Sequence, residues 1–402
     1  MANSAVSIRV FSLNCWGIRY LSKECAQRYA MIGDLLSNGE HDIVLLQEVW
    51  SEKDFIGLKK KLVFSHPHSH YFKSGVIGSG LAIFSKHRIH DTFLYRYSLN
   101  GYPYMAHHGD WFGGKAVGMA IIQVGNLTAN VYVTHLHAEY CREKDSYLPH
   151  RVVQAWELQQ FIRHTSRGAD AVILGGDLNM HPQDLGTRLL RSYTGLRDAY
   201  LETSQFDGSL KAEIRCDFMS TTKGSVPDKP FPYSDHEALT ADLRLKPLIS
   251  QETTHDNDST HDSSKVAELV DILTEARTEV KVGLHCAERM RYTATRTGIM
   301  GLALLILELA IAAVPWLALG AEQPFPRTSF YLLAALCCTI LITTFLLYLF
   351  YTMELKSLQG AEDQMRLAVG GLQERLRGVS VDHTPLRKPP EGEEPSDFDT
   401  EE

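Results

Sequence analysis

The sequence lacks any disulfide or zinc-finger pattern. Its seven cysteines, Cys15, Cys25, Cys141, Cys216, Cys286, Cys337 and Cys338, are odd in number and show neither a CxxC pair nor a regular spacing. That argues against a disulfide framework and a cysteine-based metal site and fits a reducing compartment. A basic excess is missing too. The formal net charge of -8 argues against a nucleic-acid partner, since such proteins carry Lys and Arg in surplus. Residues 1–13 are too short and too polar to form a signal peptide. The N-terminal region is therefore expected to stay in the cytosol, and the sequon Asn126-Leu127-Thr128 to be accidental. No internal repeat occurs at solenoid or propeller periods.

What is present is enough apolar material for a sizeable core: 44% of 402 residues are hydrophobic and 22% charged. Residues 6–245 read as one α/β region. Apolar runs of strand length, rich in Val and Ile, fall at 8–13, 43–46, 80–85, 117–124, 129–134, 171–174 and 238–245. Between some of them lie helical patterns, such as 152–163, with apolar positions three and four apart. The catalytic region is thus set at residues 1–246.

Beyond it the composition changes. Residues 247–264 read as a flexible linker, because 251–264 contains no apolar residue. Residues 265–297 carry a helical stripe of Val266, Leu269, Val270, Leu273, Ala276, Val280 and Leu284. Such a helix can lie on the membrane, on the catalytic domain, or stand as a solvated stalk. Residues 298–320 and 329–351 are each long and apolar enough to cross a hydrocarbon core, and 321–328 is a short connector with two prolines. Together they predict a transmembrane hairpin. Lys281, Arg289, Arg291 and Arg296 precede it, Lys356, Arg366, Arg375 and Arg377 come after it, and the connector holds only Arg327. The positive-inside rule places both termini in the cytosol and the connector in the lumen. Glu308 inside the first span is costly and calls for a partner on the facing helix. Residues 352–402 read as a cytosolic helix with an acidic, proline-rich, disordered tail.

Polar residues cluster where apolar strands end, the place where α/β enzymes hold catalytic groups. Asn14 closes the run Phe11-Ser12-Leu13 and can orient a metal ligand, although an Asn there also serves as a turn residue. Glu48 comes just after the run 43–46. A hard carboxylate suits Mg²⁺, which keeps several waters and takes few protein ligands. His135 and His137 alternate along one strand and are expected on the same face, where either can contact a phosphate. Asp177 and Asn179, two apart, point the same way; Asp177 can hold a nucleophilic water and Asn179 can donate to a phosphate. His236 in Ser234-Asp235-His236 is the natural general base, since the ordinary pKa of His lies near working pH. Asp235 beside it can ligate the metal.

In their order these segments resemble the endonuclease/exonuclease/phosphatase superfamily. Further segments resemble the neutral sphingomyelinases: Asn14-Cys15-Trp16-Gly17, Gly101-Tyr102-Pro103-Tyr104, His108-Gly109-Asp110-Trp111-Phe112, Gly114-Lys115-Ala116, Thr134-His135-Leu136-His137 and Gly176-Asp177-Leu178-Asn179. The two-span C-terminal anchor resembles that of the mammalian members. The resemblance implies a four-layer α/β sandwich and Mg²⁺-dependent, phospholipase C-type cleavage of sphingomyelin to ceramide and phosphocholine, lyso-platelet-activating-factor-type lipids remaining open. It implies catalytic roles for His236, Asp177, Asn179 and His135. Metal contacts fall to Glu48, Asn14 and Asp235, and substrate contacts to Lys115, Asp110 and Asn179. An endoplasmic reticulum membrane fits the anchor.

The chain departs from that pattern at one place. The Arg-Ile-Asp-Tyr strand expected between Asp177 and Ser234, whose Asp bonds the catalytic His, is not found. Arg215-Cys216-Asp217-Phe218 comes nearest, but residues 219–225 read as loop, so a strand is expected to be missing between about Leu210 and Cys216. Three readings result: an active phosphodiesterase of choline lipids, a membrane-anchored form impaired by loss of a core strand, and a nuclease of the same superfamily, against which the acidic balance and the anchor argue.

Overall fold

A computed structural model describes residues 6–18, 22–105, 108–203, 214–219, 226, 229–245, 259–319 and 327–377. The chain runs β1 (Val6–Asn14), α1 (Cys25–Ser37), β2 (Ile43–Gln47), α2 (Glu52–Lys61), β3 (His68–Phe72), β4 (Leu81–Ser85), β5 (Ile89–Arg96), α3 (Asp110–Gly113), β6 (Ala116–Val124) and β7 (Leu127–His135). It continues with α4 (Leu148–Thr165), β8 (Ala171–Asp177), α5 (Leu185–Thr194), α6 (Ala199–Thr203), β9 (Ile214–Met219), β10 (Ala238–Leu245), α7 (Ser259–Leu319) and α8 (Arg327–Leu376). Six strands form one sheet in the order β3-β4-β2-β1-β10-β9, and four form a second in the order β5-β6-β7-β8.

Period-two patterning explains the layers. Along β1, Ile8 and Val10 enter the core between the sheets, together with Ile43 and Leu45 of β2 and Val131 and Val133 of β7. The alternate residues Phe11, Leu13, Val44 and Leu46 face the other way, onto Ile32 and Leu36 of α1 and Leu58 of α2. On the outer side of the second sheet Tyr132 meets Leu158 and Phe161 of α4. Both faces of β2 and β4 are buried, which is why they read as nearly unbroken apolar runs. The result is helix, sheet, sheet, helix: the four-layer sandwich.

Three expectations are corrected. First, residues 214–219, expected to lead into a loop, form the strand β9. It pairs antiparallel with β10, Ala238 opposite Met219 and Leu243 opposite Ile214. Ile214-Arg215-Cys216-Asp217-Phe218 alternates over five residues before Met219 breaks the pattern, so no long apolar run marks the strand. The register sets Asp217 opposite Thr240, the third residue of β10 and four residues after His236 in the chain. Second, helix α7 already begins at Ser259, inside the expected linker, and it runs without a break through the amphipathic stripe and the first apolar stretch. A helix anchored by packing propagates through polar residues cheaply once nucleated. Third, α8 starts at Arg327, within the expected connector, and continues past Tyr351 to Leu376. Residues 247–258, 320–326 and the tail from 378 lie outside the described residues.

Both long helices carry a segment long and apolar enough to cross a membrane. There Ile299, Leu304, Ile311, Leu332 and Ile342 are all exposed, while Glu308 turns inward against Cys337 of α8. Outside those segments the amphipathic stripe has found its partner. Ile272, Leu273, Ala276 and Val280 of α7 pack with Leu355, Leu358 and Met365 of α8 onto Val152, Trp156, Leu185 and Leu189 of α4 and α5. Trp156 Nε1 donates to Gln364 (2.9 Å), and Arg188 pairs with Glu275 (2.6 Å). The membrane-type hairpin is thus joined to the catalytic sandwich by a shared core.

Candidate active site

Four strand ends converge. Asn14, Gln47, His135 and Asp177 are the last residues of β1, β2, β7 and β8, and β10 begins two residues after His236. β1 runs parallel to β2 and β7 parallel to β8, and the Asn14–Asp177 bond across the sheets puts all four termini at one end of the sandwich.

Asn14 is the hub. Its Nδ2 donates to Glu48 Oε1 (3.0 Å) and Asp177 Oδ2 (2.9 Å), and its Oδ1 accepts the Trp16 N–H (3.0 Å). Its carbonyl accepts from Ser234 Oγ (2.6 Å), and that hydroxyl oxygen accepts the His236 N–H (3.2 Å). One residue therefore joins both candidate carboxylates to the His236 loop. Glu48 also accepts from Trp50 Nε1 (3.3 Å). Glu48 and Asn179 take positive φ, 57° and 49°, a conformation rare for side chains of this size and found at sites that surrounding structure over-determines. Close approach fixes neighbouring glycines. A Cβ on Gly80 would sit 2.9 Å from Glu48 Cα, and one on Gly176 would sit 2.1 Å from the Thr134 carbonyl oxygen.

His236 is half-exposed. Its Nδ1 lies 3.9 Å from Asp177 Oδ2 and its Nε2 3.7 Å from Asp235 Oδ1. Asp177 Oδ1 accepts the Asn179 N–H (3.0 Å), and Asn179 Nδ2 donates one hydrogen to the Leu136 carbonyl (2.9 Å). Burial works to raise the Asp177 pKa, but His135, the Asn14 amide, His236 and the Asn179 N–H outweigh it and hold the carboxyl below its usual range. Asp235 goes the other way, raised by burial and by the nearby Glu48 charge.

A second cluster adjoins the first. Lys115 Nζ pairs with Asp110 (2.9 Å) and donates to His135 Nε2 (2.9 Å). Burial and the Lys115 charge hold His135 below its ordinary pKa, so the ring is neutral, with its proton on Nδ1. That ring stands 3.8 Å from Asp177 and 4.0 Å from Glu48. Lys115 is 1% exposed, so it is not an ordinary surface lysine. Asp110, despite burial, is held far down the carboxylate scale by Lys115. The strand ends at His135, so His137 does not share its face as alternation implied. It lies beyond β7, stacked on Tyr147 at 4.0 Å, with Nδ1 3.5 Å from Asp110.

Sequence reasoning passed over Arg28. It is fully buried in α1 and donates to the carbonyls of Cys15 (2.7 Å), Trp16 (2.6 Å), Tyr233 (3.1 Å) and Lys23 (2.9 Å), while stacking on Trp16 at 4.7 Å. It ties the loop after β1 to the loop before His236. Its one signal was that a charged residue occupies a core-facing position of a helix.

Among the described residues no three His, Cys, Asp or Glu side chains close into a metal cage. A Mg²⁺ ion needs none, since it binds through one or two carboxylates and keeps water. The donor set fits such an ion: Glu48 and Asp235 are hard oxygen donors close enough to repel each other, and an amide beside them fixes Glu48.

Residues 11–244 match the endonuclease/exonuclease/phosphatase family. The mouse protein "Sphingomyelin phosphodiesterase 2" is 43% identical over 90% of this chain and 92% of its own length. Its human counterpart is 46% identical over 76% and 80%, and a "Putative neutral sphingomyelinase" of Caenorhabditis elegans 46% over 56% and 54%. Among solved structures, sphingomyelinase C from Streptomyces griseocarneus covers 59% of this chain and 99% of its own at 17% identity and a TM-score of 0.48, too distant to bear on function. The family match and the near-full-length relatives place this chain in the endonuclease/exonuclease/phosphatase family, a group of hydrolases, and within it among the neutral sphingomyelinases.

Proposed function

We propose that the chain cleaves sphingomyelin in the phospholipase C manner, releasing phosphocholine and leaving ceramide in the bilayer. The carrying observation is that the Asn14 amide holds Glu48 and Asp177 together beside His236, in a chain whose mouse relative over nine-tenths of its length is a sphingomyelin phosphodiesterase. A water between Asp177 and His236 is held by the carboxylate and loses its proton to the imidazole as it attacks phosphorus. The leaving group is the ceramide oxygen, opposite the water. Asn179 has one N–H left after its bond to Leu136, and this donates to a phosphate oxygen. His135, neutral, turns its Nε2 toward Lys115, Asp177 and Glu48, and Asp110 keeps Lys115 in place. Glu48 with Asp235 would hold Mg²⁺, oriented by Asn14, and the ion would supply charge neutralisation at the phosphate.

The anchor is integral in this reading, with the catalytic domain and both termini cytosolic, as the basic flanks require. An endoplasmic reticulum membrane is the expected compartment. The test is phosphocholine release from sphingomyelin in mixed micelles by the full chain, with Mg²⁺ or chelator, beside His236→Ala. Mg²⁺-dependent release that vanishes in the variant is expected. No release from a monodisperse preparation refutes the reading and leaves the impaired-form reading in its place. A lyso-choline lipid in a parallel arm reports head-group breadth.

A further inference from the structure

Four large apolar side chains near the mouth of the site are left in water: Val76 (81% exposed), Ile77 (56%), Tyr104 (43%) and Trp111 (37%). Three of them sit on a loop and the short helix α3, which form one body. The N–H groups of Val76 and Ile77 both donate to the Phe112 carbonyl (3.0 and 3.1 Å), and Ser74 Oγ donates to the Gly114 carbonyl. Backbones touch where the loops cross: a Cβ on Gly75 would meet the Gly113 carbonyl oxygen at 2.5 Å. Beneath them Trp50 packs on Gly113 and donates to Glu48. The apolar tip is therefore tied through Trp50 to Glu48, a candidate metal carboxylate.

The other end of the same segment touches the anchor. Tyr104 stands 6.2 Å from Tyr351 and Tyr102 6.4 Å from Phe350, ring to ring. Phe350 and Tyr351 close the second apolar stretch on its cytosolic side, the level at which aromatic side chains meet the interface. The shared core of α4, α5, α7 and α8 stops the domain from swivelling about this point. One face of the sandwich is thus held toward the bilayer, and Tyr104, Trp111, Val76 and Ile77 lie on the loops at that face.

We propose that Val76, Ile77 and Trp111 form an apolar rim that enters the interfacial zone of the bilayer that anchors the chain, seating the site over lipids of that same leaflet. The proposal rests on the membrane-integral reading above. Exposed apolar groups are a liability in water and gain free energy on entering lipid.

The test uses the full chain in phosphatidylcholine–sphingomyelin vesicles, with Val76→Ser/Ile77→Ser against wild type. One substrate is the vesicle sphingomyelin; the other is a short-chain, water-soluble sphingomyelin. The variant is expected to raise the vesicle KM, expressed as surface fraction, by about tenfold, with kcat within about twofold and the soluble substrate unaffected. Unchanged vesicle kinetics, or parallel loss on both substrates, would overturn the rim. A second readout needs no turnover: the emission lost on Trp111→Phe, compared in vesicles with and without brominated lipid. Quenching of that difference signal supports the rim even if wild type cleaves no sphingomyelin, in which case only the functional reading falls. An unquenched signal sinks the rim by itself.

Discussion

Replacing Asp110 by Asn isolates the buried charge behind the site. Lys115 is 1% exposed and Asp110 8%, and their 2.9 Å contact is the only ion pair that Lys115 makes among the described residues. Breaking such a pair from one side strands the other charge and costs about 3–5 kcal/mol. Asn retains one carbonyl oxygen, which in the place of Oδ2 keeps the bonds from both Tyr140 Oη (2.9 Å) and the Ala138 N–H (3.2 Å). The low end of the range, about 3 kcal/mol, is therefore expected. For a catalytic domain of this size that is a Tm fall of roughly 6–12 °C, read by tryptophan emission in detergent. Asp110→Asn/Lys115→Met removes both charges. The double variant should cost less than the sum of the singles, with a coupling of roughly 1.5–3 kcal/mol. Strict additivity, or a Tm shift under about 2 °C for Asp110→Asn, would refute a buried ion pair as what holds Lys115 against His135.

Three further outcomes are expected. Arg28→Met leaves four carbonyls short of a donor at about 1–3 kcal/mol for each one that stays buried; Tm should fall and kcat with it, Arg28→Lys recovering part of both. His41, far from the site, is buried against Phe11 with its pKa lowered to about 4 by burial and then by Arg9. Because the folded state disfavours its charged form, its contribution is intact above about pH 6.5 and is lost as pH falls toward 4, amounting to about 2 kcal/mol at pH 5; a plot of Tm against pH should be flatter for His41→Gln. A chain ending at Leu245 uncovers Val152, Trp156, Leu185 and Leu189, and should elute as oligomers and bind a hydrophobic dye, whereas a monomer of wild-type Tm would contradict the shared core.

The parts of the fold that were legible are those buried on both faces. β2 and β4 announce themselves as continuous apolar runs because they lie in the middle of the six-stranded sheet. β3, at its edge, reads His68-Ser69-His70-Tyr71-Phe72 and is only partly buried, so its polarity hid it. β5, at the edge of the other sheet, was hidden likewise. The site was legible for a related reason: Asn14, Glu48, Asp177 and His236 each stand beside a strand end, and a sheet brings its parallel strand ends together. Arg28 was not, because its partners are backbone carbonyls, and a carbonyl has no letter in a sequence.

The docking of the hairpin was hidden by a different cause. Helix α4 is buried nearly all round, from Pro149 through Ile162, including His150, Arg151, Gln154 and Gln159. A helix read alone is expected to keep one polar face for water, and α4 has none to give. Sheet two covers one side and the α7–α8 pair covers the other. Polar residues in that second contact, His150 beside Glu354 at 3.4 Å and Trp156 bonded to Gln364, fix its register in a way that apolar contact alone does not. A stripe of apolar residues on 265–297 was compatible with membrane, domain or solvent. What decides among them is α4: Val152, Val153 and Trp156 lie on its side away from the second sheet and need an apolar cover, and the stripe is that cover.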